Sequence, residues 1–100
     1  MILVADIQRA VADHYGLPIE AMREPDGASG SRQRERARPR QVAMRLATHL
    51  TEHSLVRIGQ FFGNRDHSTV ISACKNVDRL RRDDEKLDRF MCRVSLELVR

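Results

Sequence analysis

The sequence predicts an all-α protein, a small bundle of about six helices that contains a helix-turn-helix. Apolar residues recur at three- and four-residue spacing along most of the chain, as they do on the buried face of a helix. Residues 54–77 (SLVRIGQFFGNRDHSTVISACKNV) read as a short helix, a glycine-centred turn and a second helix whose first residues are polar. Because 100 residues suffice for one small core, we expect a single domain over 1–100.

The first helix and the turn after it are predicted from spacing and from their end residues. A helix is expected over 1–15, and Gly16 is expected to end it. Its apolar face carries Val4, Ile7 and Val11. A short helical turn should follow, with Pro18 at or near its first position.

Residues 24–37 are predicted to form a flexible loop rich in Gly, Ser and Arg. Residues 24–31 (EPDGASGS) break any helical period. Arginine then occupies every even position from 32 to 40, and five arginines against one glutamate equal the +4 net charge of the whole chain. Pro39 disfavours the α conformation at Arg38. We therefore expect an extended basic arm, suited to a DNA minor groove; a solvated linker is the alternative for its first part.

A well-patterned helix is expected over 39–52, with Pro39 at its first position. Its core face is formed by Val42, Ala43, Leu46, Ala47 and Leu50. Arg38, Arg40 and Gln41 lie at its start, where backbone N–H groups and positive charge together favour a phosphate group.

The helix-turn-helix contains the candidate reading residues. Ser54 is predicted to cap its first helix, Gly63 to supply the freedom of the turn, and Asp66 to cap its second helix. The inward face of the first helix should carry Leu55, Ile58 and Phe62. The polar residues of the next helical turn, where a recognition helix meets base edges, are His67, Ser68 and Thr69.

The remaining patterns argue against several classes of function. Residues 77–88 are zwitterionic and lead into a final amphipathic helix. There is no membrane-length apolar run, signal peptide, P-loop, Rossmann fingerprint or H-E-x-x-H motif, so no enzyme, cofactor, nucleotide or membrane role is expected. His49 and His53 have chelating spacing without a third ligand, so no metal is expected. Cys74 and Cys92 are interpreted as free thiols in a reducing cytoplasm.

Three separate blocks carry a family resemblance. They are RDHSTV followed by ACK within 65–75, ARPRQVAM at 37–44, and LT, HSL, IG and FG in order between 50 and 63. These blocks resemble G-G-R-D-H-T-T-V-x-x-A-C-R, A-R-P-R-Q-x-A-M and the connecting pattern of one family, the C-terminal DNA-binding domain of the bacterial replication initiator DnaA. The resemblance covers nearly the whole chain.

The resemblance implies sequence-specific binding of double-stranded DNA at DnaA-box-like elements of the TTATCCACA type, in replication initiation or its regulation. The recognition helix would enter the major groove, and the basic arm the minor groove. The implied base contacts are Asp66, His67, Ser68, Thr69 and Arg32, with Arg34 a rival for the minor groove. The implied phosphate contacts are Arg34, Arg38, Arg40, Gln41, Ser54, Leu55, Arg65 and Lys75. An asymmetric box suits a protein that binds DNA as a monomer. The resemblance also implies a cytoplasmic protein that is associated with the nucleoid.

Several positions depart from the family pattern. Ser68 stands where the family usually has Thr, and Val56-Arg57 stands where Pro-Glu is common, which removes a capping acid and adds charge near the DNA. Asn64 replaces a turn glycine. The alternative function is a helical protein-interaction or structural domain, or a transcriptional regulator, that has this fold and altered or lost box specificity.

Overall fold

The computed structural model describes residues 1–25 and 33–99, with the side chains of residues 33 and 34 left out. These ranges form five α-helices and one 3₁₀-helix, which confirms the predicted all-α class and agrees with about six helices. The elements are α1 (Val4–Tyr15), the 3₁₀-helix (Ile19–Met22), α2 (Gln33–Leu50), α3 (Leu55–Phe61), α4 (His67–Asp83) and α5 (Glu85–Val99). None of the described helices combines the length and apolar character that a membrane span requires.

The N-terminal unit forms as its end residues predict. Gly16 has φ +66, the left-handed conformation of a helix C-terminal cap, and the Leu17 N–H donates to the Ala12 carbonyl at 2.8 Å. Pro18 directly precedes the 3₁₀-helix. The observed α1 begins at Val4 rather than at Met1.

The prediction of an extended arm ending at Pro39 is wrong for residues 33–38, because α2 begins at Gln33 and Pro39 lies inside it. Proline removes one helical hydrogen bond and crowds the preceding turn. Tertiary contacts on both sides of Pro39 offset this cost: Arg36 forms an ion pair with Glu24, and Arg40 Nη1 donates to the Ala21 carbonyl at 3.3 Å. The rest of the predicted loop, residues 26–32, lies outside the described residues.

Helix α2 is the central element of the bundle. It packs against α1, the 3₁₀-helix, α3, α4 and α5. Four of the five residues predicted for its core face are at most 1% exposed: Val42, Ala43, Leu46 and Ala47. Because the other elements pack on this helix, it sets the position of α4 relative to the rest of the chain.

The first helix of the helix-turn-helix, α3, is capped by Ser54 and packs two of its three predicted core residues into the bundle. The Arg57 N–H donates to Ser54 Oγ at 3.1 Å, so the predicted cap is confirmed. Ile58 and Phe62 are buried as expected, whereas Leu55 is 37% exposed. The prediction that Leu55 faces inward is wrong, because this residue occupies the first position of α3 at the edge of the bundle.

Two glycines permit the tight packing around the turn. A Cβ atom on Gly59 would overlap the Arg65 carbonyl, so α3 and the start of α4 approach too closely for a side chain at that position. Gly63 has φ +83, and a Cβ there would overlap the Glu24 carbonyl. The turn is thus pressed against the backbone that follows the 3₁₀-helix.

Candidate nucleic-acid interface

Four of the five residues predicted to read bases lie together and exposed where α4 begins. Asp66 precedes the helix, and His67, Ser68 and Thr69 occupy its first turn. Val70, next along the chain, is fully buried and anchors this turn to the core. The arrangement presents carboxylate, imidazole and hydroxyl groups to solvent from a rigidly supported helix end.

Asp66 occupies the N-cap position but does not cap with its side chain. Its backbone is extended (φ −65, ψ 151), and its carbonyl accepts from the Thr69 N–H at 3.0 Å. The prediction of a side-chain cap is wrong: Oδ2 accepts instead from Ser68 Oγ at 3.1 Å, and Oδ1 lies 2.9 Å from His67 Nδ1.

These contacts fix the charge of the Asp66 carboxyl. The hydrogen bond from Ser68, the neighbouring imidazole of His67 and nearby backbone N–H groups hold the pKa of Asp66 below its usual value, with Ser68 the largest cause. Asp66 is therefore ionised at neutral pH. An ionised carboxylate accepts hydrogen bonds only, so it matches a donor on a base edge, such as cytosine N4.

Two arginines of the predicted phosphate set are largely buried. Arg65 is 8% exposed, and its Nη2 donates to the Glu24 carbonyl at 2.9 Å. Arg40 is 4% exposed and donates to Ala21, as described above. Both guanidinium groups connect the helix-turn-helix or α2 to the segment around the 3₁₀-helix. Their phosphate contacts stay predictions, and the structure gives each side chain a second, structural task.

A shallow recess lies on the surface where α2 and α4 meet. Its volume is about 280 Å³, and it is lined by Ala37, Arg40, Gln41, Met44, Arg65, Thr69, Ser72, Ala73 and Asn76. Gln41 Oε1 accepts from Asn76 Nδ2 at 2.6 Å, which joins the two helices across it. The recess thus brings a predicted phosphate contact and a predicted base contact, Gln41 and Thr69, to one surface.

The other predicted contacts differ in how the structure places them. Arg38, Ser54, Leu55 and Lys75 are exposed. Arg32, assigned to the minor groove, lies outside the described residues. Arg34 lies in α2, and only its backbone is described. The choice between Arg32 and Arg34 stays a prediction.

An ion pair between α2 and α4 was missed by sequence reasoning. Arg45 Nε and Nη2 donate to Asp78 Oδ1 and Oδ2 at 2.8 and 2.9 Å, and Arg45 Nη1 donates to Thr48 Oγ1 at 3.3 Å. Such a two-point contact fixes both distance and orientation. The partners are far apart in sequence, so no helical spacing signals their contact.

Metal-binding chemistry is not assembled in the parts of the chain that the structure describes. No three His, Cys, Asp or Glu side chains in residues 1–25 and 33–99 are grouped to hold an ion. Burial lowers the pKa of His49, as does the positive charge of Arg45. Cys74 and Cys92 are free thiols.

The two packed helices, the glycine turn between them and the exposed polar start of the second define a helix-turn-helix domain. The family model described as the bacterial DnaA protein helix-turn-helix matches residues 4–77. The chain belongs to that family, which confirms the resemblance seen in the sequence blocks. Membership of this family, rather than of a catalytic one, also confirms that the chain is not an enzyme.

Full-length relatives show the same relationship. The chain is 48% identical over 84 residues to the chromosomal replication initiator protein DnaA of Psychromonas ingrahamii, a match that covers 84% of this chain and 17% of the relative. It is 49% identical over 87 residues to the protein of the same name from Zymomonas mobilis, covering 87% of this chain and 17% of the relative. The chain thus spans about a sixth of the curated relatives it matches.

Proposed function

We propose that the chain binds double-stranded DNA sequence-specifically at DnaA-box-like elements, with α4 as the recognition helix in the major groove. The observation that supports this most is the exposed cluster of Asp66, His67, Ser68 and Thr69 at the start of α4. In helix-turn-helix proteins, the first turn of the second helix contacts base edges.

The chemistry of the four groups suits base reading. The ionised Asp66 would accept from a cytosine amino group, and the Thr69 methyl would pack on a thymine methyl. Ser68 Oγ already donates to Asp66, so its lone pairs would accept from a donor such as adenine N6. A serine here lacks the methyl group of the usual threonine, and we expect weaker thymine discrimination at this position.

Phosphate contacts would position the domain without reading sequence. The exposed side chains of Arg38, Ser54 and Lys75 are the best placed of the predicted set. Arg32 or Arg34 would enter the neighbouring minor groove. Because α2 is helical from Gln33, Arg34 would be presented to the minor groove from the first turn of a helix and not from an extended arm.

The relatives are named chromosomal replication initiator proteins. We infer that this chain acts in replication initiation or its regulation, bound as a monomer to asymmetric boxes on nucleoid DNA. The monomeric state follows from the one-sided box, since a two-fold symmetric dimer would require a palindrome.

A salt-series titration tests the proposal. Fluorescence anisotropy is measured with a labelled DnaA-box duplex and with a scrambled duplex of equal composition. The box should bind more tightly at every salt concentration, and log K should fall against log[salt] with a slope of about −0.9 per neutralised phosphate. Equal affinity for both duplexes would refute sequence-specific binding and favour the interaction-domain alternative.

A further inference from the structure

A large open groove lies on a surface that the DNA-reading residues do not share. Its volume is about 1280 Å³. It is formed by residues 1–5, by residues 50–53 between α2 and α3, by Gln60, Phe61, Gly63 and Asn64 near the turn, and by residues 98–99 of α5. Residues 66–69 do not line it, so a molecule bound in the groove would leave the reading residues open.

The groove has an apolar interior and exposed apolar rims. Leu3 is 54% exposed and Val99 is 66% exposed, and both line the groove. Partly buried hydrophobic side chains lie deeper in it: Ile2, Leu50, Phe61 and Leu98. Contiguous exposed apolar surface of this kind marks an interaction site more often than scattered single residues do.

Two arginines lie beside this apolar surface. The Arg57 guanidinium lies 4.5 Å from the centre of the Phe61 ring, and its Nη1 donates to Gln60 Oε1 at 2.9 Å. The His53 ring lies next to the same Phe61 ring, with the ring centres 5.2 Å apart. Arg23 also lines the groove, held by a 2.9 Å hydrogen bond from its Nε to Gln8 Oε1. One acidic residue, Glu52, also lines the groove.

From this combination we propose that the groove binds an acidic amphipathic segment of a partner protein. The apolar stripe of a helical segment would fill the groove, with anchors at i, i+3, i+4 and i+7. Carboxylates beside the stripe would pair with Arg23 and Arg57, whose guanidinium groups are already oriented by Gln8 and Gln60.

Two other occupants fit the surface less well. A membrane surface is contacted by a protruding apolar face and by clusters of four to eight basic residues, whereas this surface is concave and has two arginines and a histidine. A second copy of the chain would bring a net charge of +4 towards a groove with a basic border. Charge complementarity therefore favours an acidic partner.

A matched pair of helical peptides tests the proposal with the 100-residue chain. One peptide carries Leu at i, i+3, i+4 and i+7 with Glu at the flanking positions, and the other carries Lys in place of every Glu. The acidic peptide should bind saturably and perturb backbone NMR signals of residues that line the groove, without perturbing residues 66–69. The Lys peptide should bind at least about tenfold more weakly.

One exposed valine and one exposed leucine on α5 provide a test variant and its matched control. Val99 lines the groove, whereas Leu96 is 70% exposed on the same helix and does not line it. Val99→Asp should lower the affinity for the acidic peptide about tenfold. Leu96→Asp adds the same charge at an exposed position outside the groove, so it should leave that affinity unchanged. Both variants should bind the box duplex as the unmodified chain does. Arg57→Glu should weaken the acidic peptide, in contrast to Arg89→Glu.

Each other outcome contradicts the inference. Absence of groove perturbations at about 1 mM acidic peptide would show that the surface has no useful affinity for such a segment. An equal loss of peptide affinity in Val99→Asp and Leu96→Asp would show that the peptide binds outside the groove. Stronger binding to phosphatidylglycerol vesicles than to neutral vesicles, abolished by Val99→Asp, would identify a membrane surface as the occupant. Concentration-dependent dimerisation in sedimentation, abolished by the same variant, would identify a second copy.

Discussion

The Arg45–Asp78 pair is expected to hold α4 against α2, and Asp78→Ala tests this. The substitution removes two charge-assisted hydrogen bonds of 2.8 and 2.9 Å. The side chains are 23% and 42% exposed, so the contribution of the pair to stability should lie between that of a fully exposed pair and that of a fully buried one. Exposed pairs contribute about 0–1 kcal/mol, and loss of one partner of a fully buried pair costs about 3–5 kcal/mol.

Solvent screening of the half-exposed carboxylate moves the expectation towards the lower limit. We expect Asp78→Ala to lower the free energy of unfolding by about 1–2 kcal/mol, or Tm by roughly 5–15 °C for a domain of this size. Urea unfolding followed by circular dichroism measures it. Asp83→Ala is the control, because Asp83 is an exposed acid on the same helix and should change stability by less than about 0.5 kcal/mol.

A double-mutant cycle isolates the interaction from the effects of each substitution alone. Arg45→Ala, Asp78→Ala and the double variant should show a coupling energy of about 1 kcal/mol or more. If the two substitutions add within about 0.5 kcal/mol, or if Asp78→Ala behaves as Asp83→Ala does, the reasoning is wrong. Because α2 and α4 both carry predicted DNA contacts, Asp78→Ala should also lower affinity for the box more than affinity for the scrambled duplex.

Three further predictions follow from the contacts described. His67→Ala or Thr69→Ala should each cost on the order of 1–3 kcal/mol on the box duplex with little loss on the scrambled one, as measured by anisotropy. Gly59→Ala should destabilise the domain by about 1–3 kcal/mol in urea unfolding, because its Cβ would overlap the Arg65 carbonyl; an unchanged midpoint would contradict the close approach. Burial, and secondarily the charge of Arg93, lowers the pKa of His14 from 6.5. The contribution of His14 to stability is therefore present above pH 6.5 and is lost as the pH falls through the lower pKa of the folded state. His14→Gln should flatten this decrease in the free energy of unfolding, measured by urea unfolding at a series of pH values.

Much of the fold was predictable because its signals are local. Apolar spacing located the helices, and Gly16 and Gly63 marked places where the backbone has positive φ. Ser54 capped α3 as a serine before an apolar helix does. The exposed polar turn at residues 66–69 was also readable, because a polar first turn followed by a buried Val70 has one orientation in a helix.

The errors arose where distant contacts outweighed a local preference. Pro39 disfavours a helix before it, yet the Arg36 and Arg40 contacts with the segment around the 3₁₀-helix keep residues 33–38 helical. Leu55 has the right spacing for the core but lies at the edge of the bundle. The error at Asp66 has a local cause instead: its carboxylate accepts a hydrogen bond from Ser68, two residues further on, and does not cap the helix.

Sequence patterns alone were enough to recognise an all-α helix-turn-helix domain of the DnaA family and to propose candidate reading residues at the start of one helix. Tertiary structure alone decided which arginines are buried, how α2 and α4 are joined by Arg45 and Asp78, and that residues at the two ends of the described chain meet in one groove. The reason is physical. Helical spacing and turn conformation depend on near neighbours, whereas burial and ion pairing depend on residues that only the folded chain brings together.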